Sequence, residues 1–260
     1  MRRQRRRWVV VVAALVTVAT VAVAAAAIVL RESTAPVDVD RAVSDFRSDS
    51  PTFERPLSAL PQPGVYIYAT SGRESVDALD GRHHDYPAET TITVRHEGCG
   101  AEFAWRPLAG RFDDTLLCPE PSGVELPRYR SHHEFFGIDD DREFVCEPGS
   151  WWYPASTEAG TTWTVRCAAD DVNMFRTGTV TGLSEVDIAG ETVEVLIFEL
   201  HDEISGASVG TNERVVKVLP GTALIVELAA SVDVRSGSPI GNVHYLELYR
   251  LRLTSLTPRR

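Results

Sequence analysis

Along most of this chain the apolar positions fall at every second residue or gather in short β-branched and aromatic runs, which is the pattern of strands. Val65-Tyr66-Ile67-Tyr68-Ala69-Thr70 is such a run, and residues 89–95 alternate in the same manner. Residues 91–97, the turn Gly98-Cys99-Gly100, residues 101–106 and residues 111–117 read as a meander. From Thr177 onward the pattern is continuous. Ala189-Gly190-Glu191 and Pro220-Gly221-Thr222 each separate two apolar runs, as hairpin turns do, and residues 242–254 form a closing strand. The prediction is about ten or eleven strands in meander order with little helix, a mainly β, antiparallel fold. Val195-Leu196-Ile197-Phe198 and Ala223-Leu224-Ile225-Val226 are apolar at successive positions, so both faces of those strands must be covered. A sandwich meets that demand, and so does a curved half-barrel that wraps a helix or an apolar ligand; the pattern leaves both open.

The first thirty residues follow a different rule. Residues 8–30, from Trp8 to Leu30, are uncharged and strongly apolar, with Arg2, Arg3, Arg5, Arg6 and Arg7 before them and Arg31 after. As a helix this run spans about 34 Å, enough to cross a hydrocarbon core of about 30 Å. The basic collar holds the N-terminus in the cytoplasm, which predicts a single-pass protein of the cell membrane with everything past Arg31 outside the cytoplasm. The rival is a cleaved signal peptide, with Ala24 to Ala27 supplying the small residues of a cleavage site. An apolar stretch longer than the usual roughly 7–15 residues favours the retained anchor. A lipid anchor would need a cysteine at the cleavage point, and the first cysteine is Cys99.

The expected organisation is a cytoplasmic tail over residues 1–7, a transmembrane signal-anchor helix over 8–30, a juxtamembrane stalk over 31–62 and a β ectodomain over 63–256. The stalk is rich in Ser, Pro and charge, and Pro61-Gln62-Pro63-Gly64 marks its end. One short helix interrupts it: Asp38 or Asp40 can cap a turn in which Ala42, Val43 and Phe46 share a face, suited to packing on the domain.

Charge narrows the partners. Six of the 26 basic residues lie at or before Arg31, which leaves 20 against 37 acids in the remainder. So acidic an exported part repels nucleic acid and gains nothing from anionic headgroups.

Cys99, Cys118, Cys146 and Cys167 all lie on the exported side, where an even count argues for disulfides. The meander places Cys99 and Cys118 at one sheet edge, and the turn Pro148-Gly149 brings Cys146 back toward Cys167; the expected pairs are Cys99 with Cys118 and Cys146 with Cys167. Zinc is the rival, but spacings of 19, 28 and 21 residues contain no C-x-x-C.

Few residues suggest chemistry. His83-His84-Asp85 and His132-His133-Glu134 hold metal-ligand residue types, but neighbours on a strand point to opposite faces, so a metal site would need one histidine from each pair to converge. Asp139-Asp140-Asp141 lacks the alternating ligands and terminal Glu of a calcium loop and reads as a solvated turn. No strand-to-helix alternation exists to build a hydrolase nucleophile elbow. Trp151-Trp152-Tyr153 reads as a core plug beside the second disulfide, with an exposed ligand-facing patch as the other reading.

The segment Gly64-Val65-Tyr66-Ile67-Tyr68-Ala69-Thr70-Ser71-Gly72, with Tyr86-Pro87, Thr90-Thr91-Ile92-Thr93-Val94 and Gly98-Cys99-Gly100, resembles a family of uncharacterised actinobacterial exported proteins. Trp105, Leu117-Cys118-Pro119, His133-Glu134-Phe135-Phe136-Gly137 and Ser238-Pro239-Ile240-Gly241 extend the resemblance. The hairpins from Thr177 onward resemble, in topology, the half-barrel of lipoprotein-carrier proteins and mycobacterial lipid-binding lipoproteins, which implies an acyl chain held in a concave sheet. The expectation is therefore a non-enzymatic, cofactor-free protein anchored through residues 8–30 that binds a lipid or other apolar ligand at the cell envelope. The alternative is an interaction module that docks another envelope protein. An apolar void of at least several hundred cubic ångströms would favour the first, and a closely packed interior the second.

Overall fold

The computed structural model describes residues 34–49, 60–77, 81–238 and 241–260. The predicted tail and membrane segment, residues 1–7 and 8–30, lie outside the described residues, as do residues 50–59 of the expected stalk. Among the described residues no helix is long and apolar enough to cross a membrane.

These residues form one helix and fourteen strands. Helix α1 spans Val39–Asp49. The strands are β1 (Gly64–Val76), β2 (Arg82–Asp85), β3 (Glu89–Glu97), β4 (Gly100–Leu108), β5 (Arg111–Glu120), β6 (Gly123–Phe135), β7 (Ile138–Cys146), β8 (Trp151–Pro154), β9 (Thr162–Ala169), β10 (Val172–Ile188), β11 (Glu191–Gly206), β12 (Ser208–Val218), β13 (Ile225–Ser238) and β14 (Gly241–Leu253). All pairings are antiparallel, and most join consecutive strands, as the alternating pattern and turn residues predict. At the β10–β11 turn Ala189 and Gly190 both take positive φ, 54° and 87°, the conformation a two-residue hairpin of matching twist requires.

The sheet closes. β1 pairs with β14 from Tyr68↔Leu253 to Val76↔Tyr245, while its other edge pairs with β3. Twelve strands therefore form a ring, with β2 and β8 added at its margins. This corrects both the half-barrel and the sandwich: the first and last strands of the meander satisfy each other's backbone groups, which removes the free edges that either open form would leave. Only β7 and β9 meet briefly, at Val145↔Ala168 and Cys146↔Cys167. The disulfides join Cys99 to Cys118 and Cys146 to Cys167.

Alternation along β1 turns Tyr66 and Tyr68 into the barrel and Val65 outward, where it meets α1. Asp38 caps that helix, its Oδ1 accepting the backbone N–H of Asp40 at 2.8 Å and of Arg41 at 3.3 Å. Ala42, Val43 and Phe46 form its buried face. The helix thus covers the outside of the wall. Part of the interior is a dry core in which Trp152, Tyr153 and Trp163 surround Phe198. The remainder is polar.

Candidate functional site

The two-residue period that fills the dry core also delivers charge into the barrel. On β10 Arg176 is in phase with Val172, Met174 and Val180; on β11 Asp202 is in phase with Phe198, Leu200 and Ile204; on β14 Glu247 is in phase with Tyr249, Leu251 and Leu253. Glu74, Arg111 and Arg214 occupy equivalent inward positions on β1, β5 and β12. All six are buried.

They form two clusters. In the first, Arg111 Nη2 donates to Asp113 at 2.8 Å and to Glu247 at 3.1 Å, and Arg111 Nε lies 3.7 Å from Glu74. Tyr86 OH donates to Glu247, Tyr129 OH to Asp113 at 2.7 Å, and Tyr245 OH to Glu74 at 3.0 Å. His84 and His133 each place Nδ1 on Glu74, at 2.9 and 3.3 Å. In the second, Arg176 and Asp202 are direct cross-strand partners, joined by Nε to Oδ1 at 2.5 Å and Nη2 to Oδ2 at 2.9 Å. Arg214 Nη1 approaches the same carboxylate at 3.5 Å.

Burial and pairing pull the carboxylates apart electrostatically. Burial alone would raise Glu74, but the histidines on it prevail and bring it down to about 2. Burial is likewise overcome at Asp113 by Arg111 and at Asp202 by Arg176, so both are lowered. At Glu247 burial prevails over Arg111 and the carboxyl is raised.

Beside these clusters lies a partly open cavity of about 240 Å³. Arg111, Asp113, Arg214, Glu247 and Tyr249 supply its polar floor, and Ile204, Val232, Val234 and Val243 line an apolar wall. At its mouth the β6–β7 turn places Phe135 and Phe136 against Val76 and Tyr245. Phe136 and Gly137 take φ values of 58° and 69°; the first is unusual for a bulky residue, and burial of its ring offsets that cost. His84 stacks on Phe135, ring centroids 4.5 Å apart. A smaller cavity of about 50 Å³ lies behind the floor, sharing Asp113, Tyr129, Arg214 and Tyr249 with the first.

The predicted candidates separate cleanly. One histidine from each pair does converge: His84 and His133 both meet the Glu74 carboxylate, and among the described residues no group of three or more His, Cys, Asp or Glu could hold an ion. His83 is exposed, and His132 faces outward to Asp141 at 2.8 Å. Asp139, Asp140 and Asp141 are exposed on β7, and Asp139 and Asp140 are among the residues that line the cavity. Trp152 and Tyr153 are buried against Phe198, as a core plug. The charged floor itself is absent from the sequence-based candidates, although a legible signal exists: single charges in phase with apolar stripes. Also missed is Gly206-Ala207-Ser208-Val209-Gly210, which spells G-x-S-x-G. It lies across the β11–β12 hairpin with no helix after it, and Ser208 Oγ meets Ser236 Oγ at 2.6 Å, so it lacks the geometry of a nucleophile elbow.

The solved structure of YmcC, a hypothetical lipoprotein from Escherichia coli K12, is similar to this chain over 80% of its length and 95% of that chain, at 14% identity and a TM-score of 0.35. No family model and no curated protein matches the chain.

Proposed function

We propose that this is a single-pass membrane protein, N-terminus cytoplasmic, whose extracytoplasmic barrel binds a small lipid-like molecule at the cell envelope. The observation that carries the reading is the open cavity of about 240 Å³, with an apolar wall over a buried polar floor. Sites of this kind hold a ligand by an apolar majority and a few placed polar groups. The volume falls short of the several hundred cubic ångströms expected for a whole acyl chain. Scaling from the roughly 150 Å³ that admits benzene, it suits a ligand of about ten non-hydrogen atoms. The ligand is therefore a short amphipathic molecule or the end of a longer one.

Binding is a better account than catalysis. Glu74, Asp113, Asp202 and Glu247 are each tied to arginine, histidine or tyrosine, and ion-pair networks shift pKa values without serving a reaction. The anchor is the apolar run of residues 8–30.

Native mass spectrometry of the chain from a secreting host, before and after denaturation, tests the reading. A releasable adduct is expected. A bare mass with and without added lipids would favour the envelope interaction module, for which Leu246 and Leu248, exposed on the outer face of β14, offer apolar surface.

A further inference from the structure

We infer that the ligand of the open cavity carries a carboxylate and that Arg214 holds it, an assignment that rests on the binding role proposed above. Arg214 is 9% exposed and lines both cavities. Its ion-pair partner, Asp202, is already held on both oxygens by Arg176. Two guanidiniums therefore share one carboxylate, so Arg214 is only partly balanced by it, while Asp113, Asp139, Asp140 and Glu247 also line the cavity and confine an anion to the side of Arg214. Arg214 donates no hydrogen bond among the described residues; besides Asp202 it meets the face of Tyr129, 5.7 Å from the ring centre. Uncommitted guanidinium donors beside a cavity suit a bidentate carboxylate.

The other polar groups of the floor are largely satisfied. Arg111 Nη1 is buried without a partner, whereas Glu247, Asp113 and Glu74 already accept from Arg111, Tyr86, Tyr129, Tyr245 or the two histidines. Among the lining atoms Asn212 Oδ1 is a buried acceptor without a partner, but the unpaired charged donors are those of Arg111 and Arg214, which select an anionic acceptor. The three carboxylates near Arg111 disfavour an anion on their own side, so Arg214 is the seat. The apolar wall then takes the chain, and about ten non-hydrogen atoms corresponds to a medium-chain fatty acid.

Isothermal titration of the full chain in lipid nanodiscs, with empty discs subtracted, compares octanoate, octan-1-ol and octylamine at pH 7. Octanoate is expected to bind roughly tenfold more tightly than the alcohol, with the amine weakest. Arg214→Met should abolish the preference for octanoate over octan-1-ol, with the fold kept because Arg176 still holds Asp202. Arg214→Lys, which keeps the charge, should retain part of the preference. Equal or tighter binding of octan-1-ol to the native chain overturns the carboxylate assignment and leaves the cavity as a binding site. No binding by any of the three overturns both.

Discussion

Cys146 and Cys167 stand directly opposite each other across the seam between β7 and β9, their Cα atoms 3.9 Å apart, and a disulfide joins them. That seam has only one other register pair, Val145↔Ala168, so the covalent bond does there what long ladders do elsewhere in the ring. Cys99 and Cys118 instead cross-link the β4–β5 ladder, which runs on through Ala101↔Leu117.

Replacing Cys146 and Cys167 by serine is expected to cost about 3 kcal/mol, the loop-closure value for 21 residues. Hydrogen exchange should accelerate in β7 and β9 specifically. The Cys99/Cys118 double variant should lose similar stability without accelerating exchange along β4 and β5. Equal local exchange in the two variants would refute the seam's dependence on its disulfide.

Asp202 is the counter-charge that two buried arginines share. Asp202→Asn leaves Arg176 and Arg214 without a counter-charge, and denaturant unfolding should register a loss of about 3–5 kcal/mol. A loss below about 1 kcal/mol would show that the arginines are solvated rather than paired.

Glu74 joins β1 to β2, β6 and β14 through His84, His133 and Tyr245. Burial opposes its ionisation, but the histidines lower it from an ordinary 4.5 to about 2. The folded value lies below the unfolded one. Its stabilisation, on the order of 3 kcal/mol, is therefore complete above about pH 4.5 and is lost as the pH falls toward 2. Glu74→Gln should unfold more easily at pH 7 and lose less further stability between pH 4.5 and 2 than the native chain. Parallel acid limbs for the two proteins would sink this role.

Ala189 is exposed and adopts φ 54°, a conformation that disfavours a Cβ, in a turn that prefers Asn-Gly. Ala189→Asn is expected to stabilise by roughly 0.5–1 kcal/mol, visible as a rise in melting temperature. A fall would mean that the turn is set by contacts rather than by its own backbone preference.

Strands, hairpin turns, the capped helix over Ala42, Val43 and Phe46, and the cysteine pairing are all legible in the sequence, because each depends on residues near one another or on a two-residue period. Closure is not. Whether β14 returns to β1 depends on twist and curvature accumulated over twelve strands, and no local pattern records that sum. The same holds for the site. Arg176, Asp202 and Glu247 each look like an isolated charge within an apolar stripe, and only the closed ring turns all those stripes toward one interior, where burial makes the charges one another's partners. His84 and His133 are 49 positions apart yet share the carboxylate of Glu74, a meeting that spacing cannot predict and tertiary structure decides.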